Sequence, residues 1–436
     1  MTWKIEPGRP LEGEITVPGD KSVTHRAYLF AAMAKGRSVI CRPLRAEDTD
    51  NTLNAVAALG AGVEDGGDHV VVTGTGLDGI REPEDVMDLG NSGTGVRLIA
   101  GLIAARPVHA VLTGDGSLRG RPMGRIVEPL RQMGAMIDGR KGGNLLPLSI
   151  RGGELSAISY ESPVASAQVK SCVLIAALGA SGTTVFTEPA LSRDHTERML
   201  RSMGVTIDQN RLSCVISGGQ ELVPTDIDVP GDISSAAFFL AAGALVEGSD
   251  ITVRNVGVNP TRTGIIKLLE AMGADLTISP LPGDGEPRAD IRVRGTRRLK
   301  GMAIPSDWIP SIIDELPLAA VIGAAAEGVT ELGKASELRV KESDRISTTV
   351  KMLRLAGIDV QEKEDGFRIE GTDKVKPASF KSHGDHRIAM SSAVLALLGP
   401  SASHVRETGC VATSFPGFGD LFNTLAPGSL TPQGEI

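Results

Sequence analysis

The chain has 436 residues, a net charge of −8, and a composition that is 41% hydrophobic but only 3% aromatic. The acidic balance excludes nucleic acid as a general partner, the scarcity of rings excludes base-stacking platforms, and the length calls for more than one core, hence two or three domains. No apolar run reaches the about 18 residues a bilayer span needs, MTWKIEPGRP has no apolar signal core, and Cys41, Cys172, Cys214 and Cys410 form no C-x-x-C pair, so a cytoplasmic protein with reduced thiols is expected.

The first helix, AYLFAAMA, is opened by VPGDKSVTHRA, which places Asp20, Lys21, Ser22, His25 and Arg26 at its start. A second helix closes at Gly60 in AALGAGVE, and the strand HVVVTGTG follows. LGNSGTGVRL then opens another apolar helix with Asn91, Gly93 and Thr94, and the loop GDGSLRGRPMG carries Arg121 ahead of a helix closed by Gly134. SPVASAQVKS places Ser166, Ala167 and Gln168 before CVLIAALGA; SRDHTER follows with Arg193 and with His195, read as a helix-surface residue; Gly204 closes that helix. VPGD recurs before ISSAAFFLAAGAL, and Gly273 closes the next helix. Asp314 and Glu315 precede LPLAAVIGAAAEG; LRVKESDRI places Lys341 and Arg345 four apart, on one helix face; Gly357 closes it; Asp385, His386 and Arg387 open RIAMSSAVLALLG.

The alternation amounts to a repeat of about 70 residues. Each copy has an apolar helix to be buried and a second helix closed by a C′ glycine. Short strands ending in glycine (HVVVTGTG, LLPLSIRGG, RLSCVISGG, DIRVRGT, GFRIEGT) separate them. The expected fold is α/β (α+β): two domains, each of three βαβαββ units with parallel buried helices, and an active site in the interdomain cleft. The crossovers fall at the two VPGD copies, giving residues 1–20 plus 232–436 as one domain and 21–231 as the other. Converging helix N-termini offer unpaired N–H groups and positive potential, an anion site. Single residues have plainer readings too. Arg345 can pair with Glu342, Lys21 can sit in a solvated turn beside Asp20, and Ser166 and Thr94 can be helix caps. HGDH lacks a third ligand for a metal. Walker A and Rossmann spacings are absent.

The set GEITVPGDKSVTHRA, LGNSGTGVRL, GRPMGRIVEPLRQMGA, VASAQVKSCVLIA, SRDHTERML, PGDISSAAFF, NPTRTG, LRVKESDRI, DHRIAM and TSFPGF resembles the 5-enolpyruvylshikimate-3-phosphate synthase family over essentially the whole chain, and its class II branch in particular. The resemblance implies transfer of the enolpyruvyl group of phosphoenolpyruvate to the 5-hydroxyl of shikimate 3-phosphate, with phosphate released through a tetrahedral intermediate. It implies Lys21, Asp314, Glu342 and His386 as catalytic. It implies Lys21, Ser22, Arg26, Ser166, Ala167, Gln168, Arg193, Asp314 and Lys341 on shikimate 3-phosphate, and Lys21, Asn91, Gly93, Thr94, Arg121, Gln168, Arg345 and Arg387 on phosphoenolpyruvate. Neither metal nor cofactor, nucleic acid nor membrane is implied, and a monomer is expected. Thr413 stands where many members have lysine, and Glu337 where asparagine is frequent. The class II-like stretches imply reduced sensitivity to glyphosate, although Gly93, where tolerant relatives can carry alanine, argues the other way. The alternative is the sister enzyme acting on UDP-N-acetylglucosamine, but its reactive cysteine has no counterpart in GDGSLRGRPMG.

Overall fold

A computed structural model of the chain describes residues 1–283, 285–296 and 298–434. Two compact units emerge, one of Met1–Pro18 with the chain from Pro230 onward, the other of Gly19–Val229. The two VPGD aspartates stand just past these crossings as N-caps: Asp20 Oδ1 accepts from Val23 N at 2.9 Å, and Asp232 Oδ1 from Ser234 N at 2.8 Å.

Twelve α-helices of eight or more residues alternate along the described chain. In the Gly19–Val229 unit they are α1 (Lys21–Met33), α2 (Glu47–Ala58), α3 (Gly93–Ala104), α4 (Gly124–Met133), α5 (Ala167–Leu178) and α6 (His195–Ser202). In the other unit they are α7 (Ile233–Leu245), α8 (Gly264–Ala271), α9 (Leu316–Ala325), α10 (Arg345–Leu355), α11 (His386–Ala396) and α12 (Phe418–Leu425). The odd-numbered six are the apolar helices, and they lie inside: Ile233–Ala244 of α7 and Leu316–Ala324 of α9 are buried without a break. Each unit has its own apolar core built on them. No single described helix is long and apolar enough to cross a membrane.

Five of the repeats supply a small sheet with the same order: a leading strand runs parallel to the second, which pairs antiparallel with the fourth, which pairs antiparallel with the third. Met87–Asp88, His109–Thr113, Leu145–Arg151 and Met136–Gly139 show it in full. The sheet of Val329–Leu332, Gly366–Glu370 and Val360–Lys363 has three strands, with a single parallel bridge from Ala303 to Glu331 in the leading position. The unit containing the N-terminus borrows strands for this pattern. Glu12–Thr16 leads the sheet of Asp250–Gly257, and Thr2–Ile5 lies between Ser403–Arg406 and Leu430–Gln433. In the other unit Ile227–Asp228 leads the sheet of Lys35–Cys41.

Glycine does two jobs in this repeat. Gly60, Gly134, Gly204, Gly273 and Gly357 end the even-numbered helices α2 to α10 with φ between 75° and 113°, a left-handed backbone that a side chain disfavours. The sixth copy departs from the pattern: α12 is closed by Ala426, whose N–H donates to Phe422 O, and the left-handed Gly428, φ 79°, comes two residues later. The strand-end glycines Gly74, Gly152, Gly218, Gly295 and Gly371 have a different task. At each, an added Cβ would overlap the last carbonyl oxygens of that repeat's inner helix. Their bare Cα atoms lie against carbonyls that have no partner within the helix.

Candidate active site

In the Gly19–Val229 unit, hydrogen bonds gather the first turns of the inner helices. Gln168, at the start of α5, donates from Nε2 to Thr94 Oγ1 of α3 at 2.9 Å and accepts from Arg97. Arg97 also donates to Pro122 O at 3.1 Å and reaches the Gly93 carbonyl at 3.4 Å. Arg121 donates to Asn91 Oδ1 at 2.6 Å, and Asn91 donates onward to Asp115 Oδ2 at 2.6 Å. A Cβ on Gly93 would lie 3.0 Å from Arg121 Nη1 and 3.4 Å from Arg97 Nη1, so the bare Cα lets two guanidinium groups approach the α3 backbone. Lys21, half-buried, is ion-paired with Asp48, not set in a solvated turn.

Behind these groups Arg26 is buried and ties α1 to α5 and α6. Its Nε donates to Thr196 Oγ1 at 2.7 Å, Nη2 to Ser171 Oγ at 2.8 Å and Nη1 to Ser22 O at 2.8 Å. His25 is also buried, with Nδ1 at 2.7 Å from Thr52 Oγ1. Burial, reinforced by the charges of Lys21 and Arg26, holds its imidazole well below the usual histidine range, so it is neutral near pH 7. Ser166 caps α5, its Oγ accepting from Val169 N at 3.5 Å, and Ala167 is the first helical residue. Thr94 is no cap: Ser92 caps α3, which frees the Thr94 hydroxyl for Gln168. Arg193 is half-buried. His195 is buried at the start of α6, not on a helix surface, because that turn packs inward beside Thr196 and Glu197.

The other unit builds its cluster around Arg345, buried as the first residue of α10. Its Nε donates to Asp385 Oδ2 at 2.8 Å and its Nη2 to Glu342 Oε2 at 2.6 Å; Nη1 reaches Asp314 Oδ1 at 3.4 Å. The simple pair with Glu342 therefore exists, but as one arm of a network. Asp385 caps α11, accepting from Arg387 N at 2.9 Å, so the same carboxylate orders a helix start and a guanidinium. Arg387 Nη1 lies 3.4 Å from Glu315 Oε1 and its Nη2 4.0 Å from Asp314 Oδ2. Glu315, fully buried, also accepts from Ser234 of α7. His386 is buried beside Arg387. Lys341 Nζ is 4.0 Å from Asp314 Oδ1. Lys341 and Arg345 do not share a helix face as their spacing predicts: Asp344 accepts from Ser347 N at 3.0 Å and starts α10 only at Arg345, leaving Lys341 at the end of a 3-10 turn.

Electrostatics follow from this packing. Burial, and then Arg345, push the Lys341 ammonium below the ordinary lysine range against the pull of Asp314 and Glu342. Burial alone would raise the Asp385 carboxyl, yet Arg345 outweighs it and holds Asp385 below the usual carboxylate range. For Arg345 burial works against the charge, and Asp385, Glu342 and Asp314 more than reverse it. The arrangement can bind dianionic ligands and can exchange protons through Asp314 and Glu342.

A family model described as EPSP synthase (3-phosphoshikimate 1-carboxyvinyltransferase) matches residues 5–422. The chain belongs to the EPSP synthase family. It is 50% identical over 422 residues to the 3-phosphoshikimate 1-carboxyvinyltransferase of Citrifermentans bemidjiense, covering 97% of this chain and 98% of that one. The Bacillus licheniformis protein of the same name is 48% identical over 418 residues, covering 95% and 97%. A solved EPSP synthase structure from Acinetobacter baumannii superimposes with a TM-score of 0.88 at 45% identity, covering 97% of this chain and 98% of that one.

Within the EPSP synthase framework, Arg97 and Asp48 are the residues that sequence reasoning missed. Arg97 carried a legible signal: GTGVRLIAGLIA is an apolar helix interrupted by one cation. A lone charge in a buried helix needs a partner. Asp48 carried none, since EDTDNT reads as an ordinary acidic first turn.

Proposed function

We propose that the two clusters carry out the reaction of the EPSP synthase family: the enolpyruvyl group of phosphoenolpyruvate passes to the 5-hydroxyl of shikimate 3-phosphate and phosphate is released, a step towards chorismate and the aromatic amino acids. The observation that carries this reading is the set Asp314, Lys341, Glu342, Arg345 and Arg387, two carboxylates interleaved with three cations within 4.0 Å of one another along the network. Cations alone would suit a phosphate store. Carboxylates held among them are what proton transfer beside a bound anion requires.

In the addition step the 5-hydroxyl oxygen bonds to the substituted enol carbon while a proton joins the methylene carbon. In the elimination step that methyl group gives up a proton and phosphate leaves. Asp314 takes the hydroxyl proton; Glu342 serves the enol carbon, with His386 near it. Lys21 contacts both substrates and assists proton transfer. Ser166, Ala167 and Gln168 bind the 3-phosphate at the start of α5, where helix N–H groups favour an anion. Ser22 and Arg26 hold the carboxylate end, and Arg193 and Lys341 complete that set. Arg121, Arg345 and Arg387 pair with the charges of phosphoenolpyruvate, and Asn91, Gly93 and Thr94 are assigned to the same substrate. Clamping both dianions turns a meeting of two solutes into a positioned reaction. Acid–base chemistry of this kind calls for neither metal nor cofactor. We also infer a monomer, from a separate core in each unit, and a cytoplasmic setting, from four free thiols.

Phosphate release tests the reading. It is expected only when shikimate 3-phosphate and phosphoenolpyruvate are both present. UDP-N-acetylglucosamine in place of the shikimate is expected to give none; release with that acceptor alone would overturn the assignment.

A further inference from the structure

Under the shikimate-side residues of the Gly19–Val229 unit lies a buried ionic cluster that the proposed chemistry does not use. Lys170 Nζ of α5 is 2.9 Å from Glu188 Oε1 and 2.8 Å from Glu197 Oε1, with all three side chains at most 2% exposed. One ammonium facing two carboxylates is an expensive way to fill an interior, and apolar residues of similar volume would commonly be as stable. Such a cluster has a reason to exist if it fixes something in place.

Glu188 ends the strand Thr183–Thr187 and folds the following chain back on itself. Its Oε1 accepts from Ser192 N at 3.0 Å and its Oε2 from Ser192 Oγ at 2.5 Å, while Lys170 also reaches Ser192 O at 3.4 Å. Ser192 is thereby held through its amide, its hydroxyl and its carbonyl. The next residue is Arg193, and the one after it, Asp194, accepts from Arg198 Nε at 2.9 Å. On the helix side, Lys170 stands two residues beyond Gln168 and on the helix that Ser166 caps. The neighbouring Ser171 shares a hydrogen bond of 2.7 Å with Thr196, which joins the same two segments again.

We propose that Glu188, anchored by Lys170, is a positioning residue that sets Arg193 in register with the first turn of α5, and so tunes affinity for shikimate 3-phosphate and not for phosphoenolpyruvate. The inference rests on the reading that Arg193, Ser166 and Gln168 contact the shikimate ligand.

Glu188→Ala is the informative variant, because it leaves Lys170 paired with Glu197 and the buried charge compensated. Calorimetric titration with shikimate 3-phosphate is expected to show binding about tenfold weaker than wild type, with the KM for phosphoenolpyruvate and kcat within about twofold. Glu188→Gln, which keeps an acceptor for Ser192, recovers most of the affinity. If Glu188→Ala does not fold, Glu188→Asp, one methylene shorter, is read by the same criteria. Combining Glu188→Ala with Arg193→Ala weakens binding no further than Arg193→Ala alone, since residues acting through one another are not additive. A lowered melting temperature with wild-type affinity overturns the proposal, as do additive losses or an equal rise in both KM values. A wild-type protein that binds no shikimate 3-phosphate sinks the functional reading itself, whereas wild-type binding that Arg193→Ala leaves untouched sinks only the positioning role.

Discussion

Gly93 shows how one missing methyl group can set the positions of two guanidinium groups. The Arg121 guanidinium next to it is tethered to Asn91 at 2.6 Å, so it has little freedom to retreat from a Cβ at 3.0 Å. Overpacking at such a contact moves the more weakly held group by a few tenths of an ångström, and a charge that clamps a dianion loses part of its interaction when displaced. Gly93→Ala is therefore expected to raise the KM for phosphoenolpyruvate severalfold and the inhibition constant for glyphosate more, with the KM for shikimate 3-phosphate changed less; steady-state kinetics with each substrate varied decides it, and a variant with wild-type constants would refute the steric argument. Residues at helix starts could be found in the sequence because polar groups stand out where apolar runs begin. Partners brought in from distant segments could not. Asp48, Asp385 and Glu315 acquire their meaning from Lys21, Arg345 and Arg387, and nothing in their local spacing names those partners. The supposed face shared by Lys341 and Arg345 failed for a related reason: KESDR has a helical period, but the Asp344 side chain takes the amide of Ser347 and moves the helix start to Arg345.

At the scale of elements, the repeat was legible because glycine leaves a mark that outlives the rest of the sequence. The C′ glycines close outer helices, and the strand-end glycines meet the inner ones; α12 carries no such mark, because Ala426 closes it and Gly428 stands two residues further on. Strand borrowing could not be read, since TWKI and EGEIT carry no address for partners hundreds of residues away, as in Thr2 opposite Arg406. The strand-end role has a built-in control, because Gly152 and Gly153 are neighbours with opposite surroundings. A Cβ at Gly152 would overlap the carbonyl oxygens of Ile103, Ala104 and Arg106 at the end of α3, whereas one at Gly153 meets nothing within 4 Å. Gly152→Ala should cost about 1–3 kcal/mol, the usual penalty of overpacking, and Gly153→Ala about zero or a slight gain from the stiffer unfolded chain. Urea unfolding of the two variants measures the difference; equal midpoints would remove the carbonyl contact as the reason for the glycine.

For the whole molecule, the borrowed strands make the two units unequal as folding bodies. Gly19–Val229 contains every strand of its sheets, including Ile227–Asp228 beside Lys35–Cys41, and a core drawn only from its own residues. The chain from Pro230 onward does not: without Met1–Pro18 it loses the strand between Ser403–Arg406 and Leu430–Gln433, the leading strand of the Asp250–Gly257 sheet, and the buried Trp3 that stacks on Phe418 at 5.4 Å. An interior strand leaves two rows of unpaired N–H and C=O groups when it is removed, and buried backbone groups without partners are costly. A fragment of residues 19–229 is accordingly expected to unfold cooperatively in urea with dispersed amide resonances and to bind shikimate 3-phosphate weakly without turnover. A fragment beginning at Pro230 is expected to gain a cooperative transition only when a peptide of residues 1–18 is added. The transitions, followed by circular dichroism with and without that peptide, check both halves of the expectation. A fragment from Pro230 that folds cooperatively alone would show that the N-terminal strands decorate its sheets and do not complete them.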